Sequence, residues 1–410
     1  MSGRDADLLV IGGGPAGVGA AIEARRRGLG RVVILEREET LGGATRHCAH
    51  SPFGMREFGR PYFGGAYGRR LAAAAAAAGV ELRTGTTVTG LGTEGAVEIA
   101  SEAGTGTLSA ERVLLATGAR ESSRAARLLT GDRPVGILTT GALQAYHAFH
   151  GLLPFRRPVI VGSALVSHSA LLTCLTSGVR PVAMVEPAAE PLARWPIPLF
   201  PRLARVPLLP GTEIVDIVGA GRVRAVRLGD RKGRTWMLDC DGVLLTGEFV
   251  PEAALLLTSG RRLAPGGTGP RIDQWGQLDA PWLFAAGNLL RPVETGGWAY
   301  REGRAVGAAL AADRVSRTLQ TAAVEVTFEA PVKLVVPNLI RPGAPPPGSG
   351  FGQFQLRFSR PVRGRLALFV DGRESWSQAG HWRPERRILV PMPAAIDRAG
   401  AIGFRFEEAT

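Results

Sequence analysis

Cysteine is scarce in this chain: Cys48, Cys174 and Cys240 are the only three in 410 residues. They make neither a disulfide framework nor a metal quartet, and they point to a reducing compartment. Lysine is scarcer, with Lys232 and Lys333 alone, so the formal charge of +13 is carried almost entirely by arginine. Those arginines are scattered, without the cluster that nucleic-acid binding requires. Together with abundant Ala and Gly they read as a base-composition bias of the source genome, and an acidic partner protein or a membrane surface stays open. Hydrophobic residues make up 45% of the chain, ample for sizeable cores. No run approaches the roughly 18 uninterrupted apolar residues of a membrane span. MSGRDAD leads straight into apolar sequence and leaves no room for a signal peptide. The expected location is the cytoplasm, with the inner membrane face as an alternative.

What is present is concentrated in residues 7–36, DLLVIGGGPAGVGAAIEARRRGLGRVVILE. Leu8–Ile11 is an apolar run suited to a buried parallel strand. Gly12, Gly14 and Gly17 then give G-x-G-x-x-G, with Pro15 and Ala16 opening a helix that stops near Gly28 or Gly30. A second apolar strand, Arg31–Leu35, is closed by Glu36. Gly12 permits the turn, Gly14 lets backbone approach a pyrophosphate, and Gly17 lets the helix pack on the strand. The pyrophosphate would lie on the helix N-terminus and Glu36 would accept from a ribose hydroxyl.

Further along, a long loop (38–68) rich in Gly, Pro, His and aromatics precedes a helix at 69–78. Loops of that length are usually functional. Strands are expected at 80–83, 86–91 and 112–116, with a small hairpin at 96–108. The opening pattern then recurs with a strand at 158–161, a turn GSALVS, a helix at 167–177, a strand at 181–185 and Glu186. Of the three glycines only Gly162 survives. A last strand at 282–286 leads through Gly287 and Asn288 to a helix at 295–313. From Val324 the texture changes to alternating runs between Pro/Gly turns, read as a small β sandwich or barrel. The expected fold class is α/β. A Rossmann-like first domain (1–120 with 247–320) receives an inserted degenerate Rossmann-like domain (121–246), and an all-β domain (324–410) follows.

VIGGGPAG with Glu36, LLATGAR at 114–120, VIVGSALVS and WLFAAGN at 282–288 together resemble the two-dinucleotide-binding-domain flavoproteins, the pyridine nucleotide-disulfide oxidoreductase type. The runs TTGALQAY, LLTGEFVPEAALL and AAGNLLRPVETGGWAYREGR are similar to FAD subunits of opine oxidase, hydrogen cyanide synthase and dye-linked proline dehydrogenase. The resemblance implies FAD, with contacts from Gly12, Gly14, Pro15, Ala16, Gly17, Glu36, Arg37, Gly43, Arg46, Val88, Ala116, Thr117, Gly118, Gly287, Asn288, Thr295, Gly296 and Gly297. Asn288 stands where the family usually has Asp. Thr295–Gly297 would begin a helix aimed at the flavin's pyrimidine edge, with Glu294, Trp298 and Tyr300 nearby. The implied activity is oxidation of a small amine or amino acid, with electrons passed to a partner flavoprotein and an iron–sulfur protein. The alternatives are a non-catalytic electron-transfer scaffold and an NAD(P)H-dependent reductase.

Disulfide reductases of this type carry a Cys pair where this chain has Thr45 and His50 in GGATRHCAH. Cys48 alone lacks the partner sulfur that exchange requires. Arg46, His47, Cys48 and His50 remain candidate catalytic groups, a His as base and a thiolate stabilised by Arg46. Packing around the cofactor is the other reading of that stretch. A zinc site from His47, Cys48 and His50 has spacing too tight for a usual structural site and no evident fourth ligand. In the second unit Glu186 suits a ribose, but Ala164 and Ser167 put side chains where phosphate must approach. That weighs against NAD(P) binding.

Overall fold

The computed structural model describes residues 3–265, 269–312, 323–343, 348–384, 386–394 and 396–409. Two compact units result: the described parts of Met1–Arg46, Pro52–Ala119 and Pro251–Thr410 form one, and His47–Ser51 with Arg120–Val250 form the other. The expected helix end at 313 and the boundary near 320 lie outside the described residues.

In the first unit, Ala6–Ile11 is buried almost throughout, because it sits between two parallel neighbours, Val32–Leu35 and Gly104–Leu115. Glu81–Arg83 extends one side of this sheet, and Leu283–Ala285 pairs with Gly104–Leu115. The hairpin expected at 96–108 and the strand expected at 112–116 prove to share one strand of 12 residues. Its first half pairs antiparallel with Ala96–Ser101 and its second half parallel with Ala6–Ile11. The strand changes partner between Ser109 and Ala110.

Helix Pro15–Arg26 packs along the last helix, Gly296–Ala311, and glycine sets the distance between them. A Cβ at Gly303 or Gly307 would collide with the carbonyls of Ala16 or Ala20, and one at Gly19 with that of Tyr300. Helix Gly64–Ala77 starts five residues before the expected 69, on a glycine-rich turn without a side-chain cap.

The C-terminal strands form two facing sheets, as a sandwich requires. Phe354, Leu356, Phe358, Leu366, Leu368, Val390 and Phe404 fill the space between them. Trp382 stacks on Phe358 at 5.6 Å and donates Nε1–H to the Gly364 carbonyl at 3.0 Å, so it belongs to that core, whereas His381 is exposed. Leu334, Val336 and Phe351 of this region join the core of the first domain.

In the second unit, five parallel strands run in the order Leu208–Pro210, Ala183–Glu186, Pro158–Val161, Gly242–Leu245 and Ile137–Thr139. One apolar cluster brings Thr140–His150, Leu165–Thr176 and Leu199–Leu203 onto the sheet through Leu143, Leu171 and Phe200. A separate cluster packs the antiparallel meander of Thr212–Val218, Ala225–Asp230 and Thr235–Asp239 against it.

Candidate functional site

In the first unit Gly12, Gly14, Gly17, Gly43, Gly287 and Gly296 of the expected cofactor residues lie around the N-terminus of helix Pro15–Arg26. Gly12 turns with φ +108°, and a Cβ there would lie 2.6 Å from the Ala116 carbonyl oxygen. Gly14 is the N-cap and offers no side-chain cap, so the helix start is available to an anion. A Cβ on Gly14 would meet only Gly43 Cα, at 3.9 Å, and one on Gly43 would sit 3.1 Å from Gly14 Cα. Two glycines thus face each other across a cradle that side chains would fill. A Cβ at Gly17 would strike the Gly12 carbonyl. Gly287, at φ +81°, abuts Ala16, and Gly296 lies beside Pro15, so both ends of the dinucleotide fold meet.

Glu36 is buried and oriented by two amides: Gly13 N–H donates to Oε2 at 2.8 Å and Glu38 N–H to Oε1 at 3.0 Å. Thr117 Oγ1 donates to the Glu252 carbonyl at 2.7 Å, fixing the Ala116–Gly118 turn. Asn288 pairs with Glu294 backbone through both ends of its amide, at 3.2 and 3.3 Å. An Asp there could accept from the N–H but could not donate to the carbonyl. Thr295 is the exposed N-cap of the last helix. Arg37 extends outward and pairs with Glu38, and Val88 lies in strand Thr87–Leu91 opposite Ile99.

The candidate catalytic stretch divides. Arg46 stays with the first unit, its guanidinium taken by Glu38 at 3.0 Å and by Thr40. His47–Ser51 belongs to the second. There Cys48 Sγ donates to Gln144 Oε1 at 3.7 Å, and Gln144 Nε2 donates to Ser169 and Thr173. Burial pushes the Cys48 thiol up to about 12, so it is protonated at neutral pH. Burial also lowers His50 below the usual imidazole value, against a hydrogen bond to the Ser51 backbone that works the other way. His47 packs edge-on to Phe149. Glu121 accepts from the amides of Gly141 and Gly247, and burial raises its carboxyl. Among the described residues no group of three or more His, Cys, Asp or Glu is placed to hold a metal.

The second unit repeats the turn with substitutions. Gly162 has φ +111°, and Ala164 caps Leu165–Thr176 in the same extended conformation as Gly14. Ser163 Oγ donates to Glu186 Oε2 at 2.6 Å, occupying the oxygen that in the first unit takes the Gly13 amide. Ser167 Oγ and Thr246 Oγ1 share a buried hydrogen bond at 2.5 Å. Leu165 is 58% exposed at the helix start.

Sequence reasoning missed Glu302. It is buried in the last helix, its Oε1 accepts from Gly287 N–H at 2.7 Å, and Oε2 pairs with Arg291 at 2.5 Å. An acid beside the glycines of a close-packed helix was the available signal.

Two dinucleotide folds, the first split around the second, define an FAD-dependent oxidoreductase of the two-domain type. The chain belongs to the pyridine nucleotide-disulphide oxidoreductase family, whose pattern matches residues 6–322. An opine oxidase subunit of Rhizobium meliloti is 30% identical over 186 residues, covering 45% of this chain and 39% of that protein. The chain spans about half the length of other curated relatives it matches. Thioredoxin reductase of T. acidophilum superposes with TM-score 0.63 at 21% identity, covering 76% of this chain and 100% of that one. L-proline dehydrogenase from P. horikoshii gives 0.56 at 19%, covering 74% and 54%. No helix among the described residues is long and apolar enough to cross a membrane.

Proposed function

We propose that this chain is the flavin-carrying component of an amine or amino-acid dehydrogenase, delivering electrons from a small substrate through FAD to protein partners. The observation that carries this reading is the second dinucleotide turn, where Ser163, Ala164 and Ser167 stand in place of a phosphate-admitting backbone. Without a nicotinamide route, electrons leave the flavin by another path. The residues of the first unit fit FAD: an uncapped helix start, the Gly14–Gly43 cradle and the oriented Glu36. Bound there, FAD would supply the two-electron acceptor for the C–H bond next to nitrogen.

Other features support the same reading. Cys48 lacks a second thiol nearby in sequence and is held protonated, against dithiol chemistry. Burial disfavours the charged form of His50, which leaves it a candidate base for an ammonium substrate. The likeness to opine oxidase subunits favours a multi-subunit assembly, whose partners would be a second flavoprotein and an iron–sulfur protein. A reductase using NAD(P)H is the second reading, favoured by the retained Gly162 turn and Glu186. Anaerobic mixing of the purified flavoprotein with a panel of amines and amino acids tests the proposal. Bleaching by one of them at catalytically useful rates is expected. Bleaching by NAD(P)H alone would overturn it.

A further inference from the structure

The loop 287–294, which under the proposed function holds the flavin, stands on two buried carboxylates. Glu302 receives the Gly287 amide at one end, and Glu294 at the other pairs its backbone with Asn288. Their side chains are 6% and 3% exposed, so each needs cationic partners. Arg291, itself buried, serves both, at 2.5 Å from Glu302 and 3.6 Å from Glu294. One guanidinium between two carboxylates leaves an unbalanced negative charge. The balance comes from the C-terminal β region. Arg357 pairs with Glu294 Oε1, Arg387 with Glu294 Oε2 at 2.7 Å, and Gln355 donates to Glu302 Oε2 at 3.2 Å.

The same residues grip the neighbouring backbone. Arg357 also donates to the carbonyl of Val293, a β-branched residue at φ +72° that needs outside support. Arg387 lies 3.5 Å from the ring centre of Trp298, in the first turn of the last helix. The β region therefore holds this segment at Val293, Glu294, Trp298 and Glu302.

We propose that Arg357 and Arg387 of the β region are positioning residues of the flavin site, acting through Glu294 on Asn288 and the start of the last helix. The proposal rests on the reading that loop 287–297 holds FAD. It makes the β region part of the cofactor site. A second set of bonds joins the β region to the first domain away from this loop: Arg341 with Asp273 at 3.1 Å and Ile272 N–H to Asn338 Oδ1 at 2.9 Å. Those contacts provide an internal control.

The test uses the full chain, stripped of flavin and titrated with FAD, with the midpoint potential of the reconstituted flavin as second readout. Arg357→Gln with Arg387→Gln is expected to weaken FAD binding at least tenfold and to shift the potential. Arg387→Gln alone, at a partly exposed position that should not endanger folding, is expected to weaken it severalfold, and Arg387→Lys to restore most of the loss. Arg341→Gln is expected to lower the melting temperature while leaving FAD affinity and potential unchanged. Wild-type affinity and potential in a folded Arg387→Gln variant would overturn the proposal. So would an Arg341→Gln variant that loses FAD equally. A wild-type chain that takes up no FAD would instead overturn the underlying reading.

Discussion

Two βαβ turns in this molecule are built on one plan, and they differ where chemistry requires. Gly12 and Gly162 turn alike, with φ of +108° and +111°. Gly14 and Ala164 cap their helices with nearly the same backbone angles. Glu36 and Glu186 each take the amide two residues on, from Glu38 and Ala188. The downstream loop returns to the turn in both, through Gly42 to Gly13 and Ala193 to Ser163. The frame therefore survives without the glycines. What the glycines add is backbone that a phosphate can reach. Where the first turn presents Gly13, Gly14 and Gly17, the second presents a hydroxyl bonded to the acid, a methyl at the cap and a hydroxyl buried against Thr246.

The comparison breaks most sharply at Gly14. Because a Cβ there meets only Gly43 Cα, Gly14→Leu is expected to leave the fold intact and abolish FAD. Wild-type circular dichroism with no bound flavin is the signature; retained flavin would mean the cradle is not where the pyrophosphate lies. Restoring the second turn with Ser163→Gly, Ala164→Gly and Ser167→Gly works in the opposite direction. Each regained backbone–phosphate bond is worth roughly 1.5–3 kcal/mol, about ten- to hundredfold in affinity. NADH titration of the triple variant should show tighter binding than wild type, and NADPH should gain less, because Glu186 repels its extra phosphate. No gain would place the defect elsewhere. The two acids should part next. Glu36→Ala is expected to cost roughly tenfold or more in FAD affinity, at about 1.4 kcal/mol per tenfold, whereas Glu186→Ala leaves flavin content unchanged.

The smallest effect is expected at Cys48. With its thiol pushed up to about 12 by burial, the thiolate is scarce until the pH nears that value. Alkylation at pH 8 should be far slower than for a free thiol and should quicken as the pH rises. Cys48→Ala should leave flavin reduction within about twofold, since burial keeps the thiol protonated at neutral pH. A much larger loss would return the cysteine to the chemistry.

The sequence made the parallel sheets legible because their strands are short apolar runs ended by glycine, as in Leu8–Ile11 and Pro158–Val161. Helix Gly64–Ala77 was legible only in its alanine half; its first turn reads as loop because Gly64 and Gly65 carry no helical preference. The change of partner within Gly104–Leu115 left no local mark, since the polar residues there serve two ladders. The site was legible in the same uneven way. Gly12, Gly14, Gly17 and Glu36 act within 25 residues of one another, so spacing carries the signal. The partners of Glu294 lie 63 and 93 residues away, and nothing in the alternation of the β region distinguishes Arg357 or Arg387 from its other arginines.

The central claim is that one dinucleotide fold works and the other only persists. Stopped-flow reduction of the FAD-loaded wild-type protein by micromolar NADPH, without oxygen, tests it most directly. The account predicts that the flavin stays oxidised on the timescale of turnover, with any slow reduction favouring NADH. Rapid, saturable bleaching by micromolar NADPH would contradict it and make the second fold a working nicotinamide site.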